Sequence, residues 1–355
     1  MPRPSPFQLH GWILAWWRHY GEGRRLAVEV ARRDGRLVGA LALHVRRRGG
    51  LRVATFLGGK QSALADVLLA EGEGPDTAEQ LVQRAARGRY DLVDLFGLGG
   101  TSRLAAAAGR RLHLIERVEA PVLDLPGGWE AVYTAKTSSK KRNLHRRRRR
   151  QLGELGTLEI DLARSAEELD RALDDAFALH RMRWEGRPDT SDFGTPVGMR
   201  FHRDATRALA AIDVPRIVTL RLDGRALAFH YYFVLAGSMY VYRLAFDPEF
   251  ARFSPGLVNT LDAIAAADAE GVTRVEFLGA NERYKRELAD RYEPLHQGVG
   301  MARTPAGHLV SAVRRGAIVT RRSLRRSDTL RRVYVDGLAP LRRRLSRRSS
   351  GEAAD

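Results

Sequence analysis

Apolar and polar residues alternate in two pairs of short segments, one pair in each half of the chain. An Asp-Gly-Arg triplet separates the members of each pair, at residues 34–36 and 223–225. Alternation with a period of two predicts β-strands, and Asp-Gly between alternating segments predicts a tight hairpin turn. The four predicted strands are Ala27–Arg33, Leu37–Val45, Ile217–Leu222 and Ala226–Leu235. The repeated hairpin indicates an internal duplication.

The segments after each hairpin also correspond. Each half continues with a third strand, then a helix, then an apolar strand that ends in glycine. These segments are Leu51–Leu57, Thr77–Arg87 and Leu92–Gly97 in the first half, and Met239–Ala245, Pro255–Glu270 and Arg274–Gly279 in the second. Antiparallel strands followed by a crossover helix predict an α+β fold of two tandem units, each with a mixed twisted sheet flanked by helices.

The duplication suggests domain boundaries. We expect an N-terminal unit at residues 1–130 and a C-terminal unit at residues 158–305, which opens on a helix with apolar residues at helical spacing, Ala166–Arg183. A basic segment at residues 131–157, helical by propensity, links the two units. Residues 306–355 form an arginine-rich tail, predicted to be a helix followed by disorder.

The composition excludes several kinds of site. The chain has 355 residues, a length that favours two domains. It contains no cysteine, which excludes disulfides, thiolate metal sites and a cysteine nucleophile. The ten histidines lack ligand spacing, so we expect no metal site. We find neither ~18 consecutive apolar residues nor a signal-peptide pattern at Met1–Gln8, and therefore expect a cytoplasmic protein without a transmembrane segment.

The net charge of +18 is concentrated in two segments. Lys136–Arg150 holds nine basic and no acidic residues, and Arg314–Arg348 holds thirteen arginines against two aspartates. Such segments are either solvated helix faces or contacts with an anion such as tRNA, an acidic carrier or anionic lipid. No aromatic residue lies within Lys136–Arg150, so any binding there is expected to depend on phosphate charge and to weaken with salt.

A series of short motifs extends from about residue 7 to about residue 300. The C-terminal unit carries Phe253-Ser254-Pro255-Gly256-Leu257, then Val275-Glu276-Phe277-Leu278-Gly279, then Tyr284-Lys285. Upstream lie His180–Trp184, Phe201-His202, Trp16-Trp17 and Phe56–Gly59. In this order the motifs resemble those of GNAT-type acyltransferases of the Fem-like branch, which includes acetyltransferase-like proteins associated with cellulose and polysaccharide biosynthesis.

The resemblance implies two GNAT units that transfer an acyl group from acetyl-CoA or another acyl-CoA to an amine or hydroxyl, on a small or cell-envelope-related acceptor. The pyrophosphate loop usual in GNAT enzymes, Gln/Arg-x-x-Gly-x-Gly/Ala, is not matched by residues 252–257. The first half has Gly58-Gly59-Lys60-Gln61-Ser62 in the corresponding place. We therefore expect the donor site in the second unit.

The start of the helix at Pro255 is the candidate donor site. Ser254 is a favourable N-cap residue, Pro255 suits the first helical position, and Gly256 allows a ligand to approach the backbone. Free amides at a helix start favour an anion, and Arg252 adds a charge. The alternative is an ordinary helix start. The predicted donor-binding residues are Arg252, Phe253, Ser254, Gly256 and Leu257.

Two residues are candidates for proton transfer. Tyr284 is predicted to protonate the leaving thiolate, and His230, within a strand, to act as the base. The alternatives are a half-buried aromatic residue and a structural histidine.

The acceptor site is predicted in the cleft between the units. His180, Arg183 and Trp184, at the end of a helix, either bind the acceptor or hold helix to sheet by packing and cation–π contact. Lys285 is predicted to bind an acidic acceptor or a phosphate. Asn281 completes the candidate substrate-binding set, although capping a loop is its alternative role.

Three hypotheses follow. The first is an N-acyltransferase that uses acyl-CoA. The second is a Fem-like transferase that uses aminoacyl-tRNA, with Lys136–Arg150 holding the tRNA. The third is a non-catalytic GNAT-fold module that binds nucleic acid or an anionic surface.

Overall fold

The computed structural model describes residues 5–185, 191–279 and 282–326. The strands in these residues are β1 Arg25–Arg33, β2 Arg36–Arg48, β3 Leu51–Phe56, β4 Leu68–Leu69, β5 Leu92–Gly99, β6 Leu112–Asp124, β7 Leu158–Ala163, β8 Pro215–Leu222, β9 Arg225–Leu235, β10 Ser238–Phe246, β11 Arg274–Glu276 and β12 Arg291–Gly300. The α-helices are α1 His10–Tyr20, α2 Pro75–Ala86, α3 Arg103–Ala108, α4 Trp129–Lys136, α5 Ser139–Gly153, α6 Ala166–Trp184, α7 Pro196–Ala210, α8 Pro255–Ala269, α9 Arg283–Leu288 and α10 Pro305–Arg326. None of these helices is both long and apolar enough to cross a bilayer.

Both predicted hairpins are confirmed. The β1–β2 turn has positive φ at Asp34 (50°) and Gly35 (78°), and the β8–β9 turn has nearly the same values at Asp223 (48°) and Gly224 (79°). Two successive residues with positive φ define the tight turn that matches the twist of antiparallel strands. The same sequence signal therefore produces the same geometry in both halves.

The two predicted sheets are joined into one. The strand order is β1-β2-β3-β5-β12-β6-β11-β10-β9-β8-β7, with β4 pairing separately to β2. Strand β12, from the end of the second half, lies between β5 and β6 of the first half and is antiparallel to both. Strand β6 in turn pairs with β11 of the second half. The α+β class is confirmed, and the halves exchange strands at their junction.

Helices cover both faces of the sheet. Helices α1, α6 and α7 pack on one face of the second half, where Trp12, Phe201 and Phe233 are fully buried. Helices α4 and α8 pack on the opposite face around Ile264. Helix α2 covers the first half through Leu81 and Val82. The apolar spacing that predicted helix α6 corresponds to its buried face.

The basic segment forms two helices, α4 and α5. Ser138 lies between them, and its side chain accepts a hydrogen bond from the Lys141 N–H, which caps α5. Helix α5 is anchored to α8 by an ion pair between Arg149 and Asp262 (2.6 Å). The disorder predicted for the end of the tail concerns residues 327–355, which lie outside the described residues. The domain boundaries at 130, 157 and 305 stay a prediction.

Three histidines are enclosed in the interior. His44, His202 and His230 are 0%, 0% and 1% exposed, and neither ring nitrogen of any of them has a hydrogen-bond partner in the described part of the chain. Burial lowers the pKa of His44 and of His230 to about 3, and lowers the pKa of His202 well below its ordinary value. Folding therefore requires these imidazoles to be neutral.

We predict that acid destabilises the fold between pH 7 and pH 5 through these histidines. In this window the unfolded imidazole gains a proton near pH 6.5 and the folded one does not, so each contributes a loss of about 2 kcal/mol in unfolding free energy. Urea unfolding at both pH values measures the loss. His230→Leu is expected to reduce it by that amount, and exposed His10→Gln to leave it unchanged. An unaltered pH dependence in His230→Leu would contradict the prediction.

The strand exchange predicts that residues 1–130 do not fold alone. Without β12, strands β5 and β6 each lose the strand between them, and each exposes an unpaired edge. We expect no cooperative urea transition by circular dichroism for this fragment, and recovery of a transition when residues 131–326 are co-expressed. A cooperative transition of the isolated fragment would show that β12 is dispensable for it.

Candidate functional site

Two parallel strands separate in the middle of the second half. Strands β10 and β11 pair only between Ser238–Tyr240 and Arg274–Glu276. Strand β11 then ends, while β10 continues to Phe246, paired on its other side with β9. Among the described strands, none pairs with β10 on this edge after Tyr240. The edge therefore offers unpaired N–H and C=O groups to a ligand.

The chain on both sides of this gap has left-handed backbone conformations. Leu278, just after β11, has φ 58°, and Ser254, just before α8, has φ 54°. Phe277 keeps its backbone bond to Pro121 of β6, so β11 continues toward β6 and away from β10. A bulge between Val241 and Arg243 further alters β10 where the gap begins. This strand separation was not predicted, because residues 274–279 were expected to form one strand of ordinary length, whereas β11 has only three residues.

The start of α8 differs from the prediction. The Ser254 side chain makes no capping hydrogen bond, because its backbone is left-handed and not extended as an N-cap requires. Its N–H donates to Ala251, and the N–H groups of Leu257 and Val258 both donate to the Ser254 carbonyl. Of the predicted free amides, only that of Gly256 is left without a backbone acceptor among the described residues. The predicted cap at Ser254 and the predicted cluster of amides are therefore wrong.

Gly256 lies against an aromatic ring. A Cβ at this position would be 2.8 Å from Cδ1 of Phe246, at the end of β10. The Arg183 guanidinium stacks on the same ring, 4.5 Å from its centroid. The structure thus brings a predicted substrate-binding residue and a predicted donor-binding residue to the same place. Phe246, which the sequence analysis did not select, joins them.

Arg252 and Phe253 precede the helix start. The exposed Arg252 stacks on the Phe253 ring at 4.6 Å. No carboxylate pairs with Arg252 among the described residues, so its charge is available to a ligand near Gly256.

Tyr284 lies on α9, across from α8. Its hydroxyl is enclosed and makes no well-formed hydrogen bond to any residue that the structure describes. Burial raises the pKa of Tyr284, and the neighbouring Glu282 carboxylate raises it further. Tyr284 therefore remains protonated over the physiological range, as an acid requires.

A narrow cleft of about 20 Å³ connects Tyr284 with the helix start. Leu257 and Leu261 of α8 line one side. Lys136, Lys141 and His145 contribute from the basic helices. Both lysines pair with carboxylates, Lys136 with Asp290 at 2.7 Å and Lys141 with Glu287 at 3.1 Å. The cleft has room for about one water molecule.

Two predicted roles do not fit the geometry. Lys285 is buried, and its ammonium donates to the Gly279 carbonyl (3.0 Å) and pairs with Glu282 (2.8 Å), so its charge is already used within the protein. His230 is enclosed between neighbouring strands with a pKa of about 3, and its imidazole is too weakly basic to serve as the predicted base. Burial and the nearby Lys285 cause this low pKa.

The remaining predicted residues have different surroundings. His180 is 3% exposed, packs edge-on against Phe193 and lies 3.3 Å from the Ser191 hydroxyl. It holds α6 to the following segment. Trp184 is 41% exposed at the end of α6, beside Arg183. Asn281 lies outside the described residues. Within the described ranges, no cluster of three or more His, Asp or Glu residues is arranged to hold a metal ion.

Comparison with known families identifies the second half. The family described as "Acetyltransferase (GNAT) domain" matches residues 139–286, from α5 into α9. This range includes the strand separation, the start of α8 and Tyr284. No curated protein sequence matches the chain.

Solved structures share the fold over most of the chain. FemX has a TM-score of 0.58 at 10% identity and covers 87% of this chain and 95% of its own. L-PGS from Bacillus licheniformis has a TM-score of 0.52 at 13% identity, with 88% and 98% covered. A conserved protein of unknown function from Bacteroides thetaiotaomicron has a TM-score of 0.55 at 13% identity, with 84% and 92% covered. The chain therefore has a GNAT fold, and its residues 139–286 match the GNAT acetyltransferase domain family.

Proposed function

We propose that the protein is an N-acyltransferase that moves an acyl group, acetyl in the simplest case, from acyl-CoA to an amine or hydroxyl acceptor. The observation that carries the proposal is the unpaired edge of β10 after Tyr240, beside the free N–H of Gly256 and within the matched domain. A free strand edge suits the amide groups of the pantetheine arm. The Gly256 N–H at the positive end of α8, together with Arg252, suits the pyrophosphate.

Tyr284 is proposed as the general acid. Its buried phenol gives its proton to the sulfur as the thioester C–S bond breaks and the acceptor nitrogen bonds to the acyl carbon. The proton that the nitrogen loses then converts the phenolate back to the phenol, by way of water. Arg183 and the exposed Trp184 are proposed to hold the acceptor in the cleft between the halves. We propose a place in the Fem-like branch, because the chain shares its fold with FemX. A small or cell-envelope-related acceptor, as in polysaccharide biosynthesis, is proposed from the resemblance of the sequence motifs alone.

The absence of cysteine makes the central experiment simple. The chain has no thiol of its own, so a thiol reagent reports only the CoA released by transfer. Incubating the protein with acetyl-CoA and a panel of amines should release CoA above the rate without protein. If the protein binds neither acetyl-CoA nor other acyl-CoAs and releases no CoA with any of the amines, a non-catalytic module is favoured.

We predict that Tyr284→Phe separates catalysis from folding. Since the hydroxyl lacks a well-formed hydrogen bond, its removal is expected to leave thermal stability unchanged or slightly higher. Loss of a general acid is expected to lower kcat by about 10²–10⁴-fold. Tyr232→Phe is the matched control, because it also removes a buried hydroxyl without a partner, on β9. Equal kcat in both variants would remove Tyr284 from the mechanism.

One observation favours aminoacyl-tRNA as an alternative donor. On α5, the side chains of Lys140, Arg147 and Arg148 have no carboxylate partner among the described residues. Helix α5 is fixed to α8 through the Arg149–Asp262 ion pair, close to the proposed donor site. These cations can reach a phosphate backbone without breaking an existing ion pair.

The tRNA hypothesis predicts charge-specific, salt-sensitive binding. Arg147→Gln with Arg148→Gln is expected to weaken tRNA binding and to reduce the slope of log affinity against log salt by about two. Arg110→Gln with Arg111→Gln removes the same charge from an exposed turn and serves as the control. Filter binding at several salt concentrations measures both. Equal losses in the two variants would indicate binding through net charge alone.

A further inference from the structure

The first half has a charged sheet face that the proposed donor site does not use. His44 and Arg46 lie two residues apart on β2 and therefore share a face. Trp16 of α1 stacks on His44, with ring centroids 4.8 Å apart and planes 23° apart. Arg24 lies over the same Trp16 ring, 5.2 Å from its centroid. An aromatic stack is thus flanked by guanidinium groups.

Both guanidinium groups lack an acidic partner among the described residues. Arg24 and Arg46 are only partly exposed, and Nε of Arg46 is buried without a hydrogen-bond acceptor. Burial lowers the pKa of both arginines. The positive charge of Arg46 lowers the pKa of Arg24 further, and the positive charge of Arg48 lowers the pKa of Arg46 further. The two cations therefore occupy unfavourable positions in this structure.

Other enclosed arginines of the protein are neutralised. Arg216, 1% exposed, donates to Glu270 at 2.6 Å. Arg274, 5% exposed, donates to Glu276 at 2.6 Å and to Glu293 at 2.8 Å. Arg24 and Arg46 thus differ from these two fully buried arginines, each of which has a carboxylate partner.

The one carboxylate known to act on Arg46 is committed elsewhere. Asp94 on β5 raises the pKa of Arg46, but Asp94 is paired with Arg314 of α10 and accepts a hydrogen bond from Gln297. Arg314 brings a further positive charge to the same face. The buried His44 is a second polar group there, because neither of its ring nitrogens has a hydrogen-bond partner among residues 5–185, 191–279 and 282–326.

We propose that Arg24 and Arg46 form a binding site for a phosphate group of a small ligand, beside the Trp16–His44 stack. Two guanidinium groups match the charge and the several acceptor oxygens of a phosphate better than those of a single carboxylate. The site is independent of the proposed acyl transfer, because none of its residues belongs to the donor site. The pairing of Asp94 with Arg314 leaves the two arginines free for an external anion.

The test compares adjacent arginines on one strand. Arg46→Gln removes one of the two cations, and Arg47→Gln, the next residue, removes an exposed cation from the opposite face. Thermal unfolding is measured at constant ionic strength with chloride, inorganic phosphate, pyrophosphate or succinate. Phosphate and pyrophosphate are expected to raise Tm by several degrees in the wild type and in Arg47→Gln, and not in Arg46→Gln.

Stability without added phosphate provides the second readout. A ligand-binding cation held without a partner destabilises the free protein, so Arg46→Gln is expected to unfold at the same temperature as the wild type or higher. A lower Tm for Arg46→Gln, with phosphate effects equal in all three proteins, would show that Arg46 is a structural residue. Stabilisation by succinate as large as that by phosphate would overturn the assignment to phosphate.

Discussion

The position of the proposed donor site depends on the strands exchanged between the two halves. Strand β11 has three residues and is held between β10 on one side and β6 of the first half on the other. Strand β6 is fixed in turn by β12, which pairs with it from Leu112 to Val122. Because Phe277 continues along β6, the chain leaves β10 and the gap opens. The half that holds the proposed donor site thus takes its geometry from a strand of the other half.

Charged residues reinforce this junction. Arg274 and Glu276 of β11 form a buried pair, and Arg274 also binds Glu293 of β12. Arg291 of β12 bonds Asp124 of β6. Burying a charge is unfavourable unless it is paired, so a slipped register of β11 would leave the buried Arg274 without a partner. This pair lies close to the point where β10 and β11 separate.

The sequence predicted the elements whose causes are local. Asp-Gly turns and alternating strands specify both hairpins without reference to the rest of the chain, and Pro255 marks the start of α8 correctly. Strands β6 and β12 were not predicted, because Pro121 and Pro294 interrupt their patterns and their partners are distant in sequence. Because β6 and β12 were not predicted, the joining of the two expected sheets into one was not predicted either.

The roles of the candidate site residues were predicted less well than the hairpins, because they depend on contacts between residues that are distant in sequence. Gly256 was predicted to let a ligand approach the backbone, which stays a prediction; in the structure the Phe246 ring lies against it, where a side chain would collide. Propensity assigned Ser254 a capping role that requires extended backbone, but the preceding 3₁₀ helix Pro248–Phe253 delivers the chain to Ser254 in a left-handed conformation. Likewise, nothing in the local sequence shows that Lys285 turns inward to the Gly279 carbonyl. Residue type predicted which groups were available, and tertiary structure decided which of them remain free.

The strained backbone on both sides of the gap is the strongest physical argument that the gap serves a ligand. Ser254 and Leu278 have positive φ, which disfavours residues with a side chain and costs of the order of 1–3 kcal/mol at each position. Leu278 is buried, so packing holds it in place, and Lys285 secures the following turn through Gly279. A protein selected for stability alone would relieve such strain by continuing β11 alongside β10. Keeping the two strands apart leaves an edge of β10 without a partner among the described strands, and the proposed donor, which is extended and carries amide groups, would supply that partner.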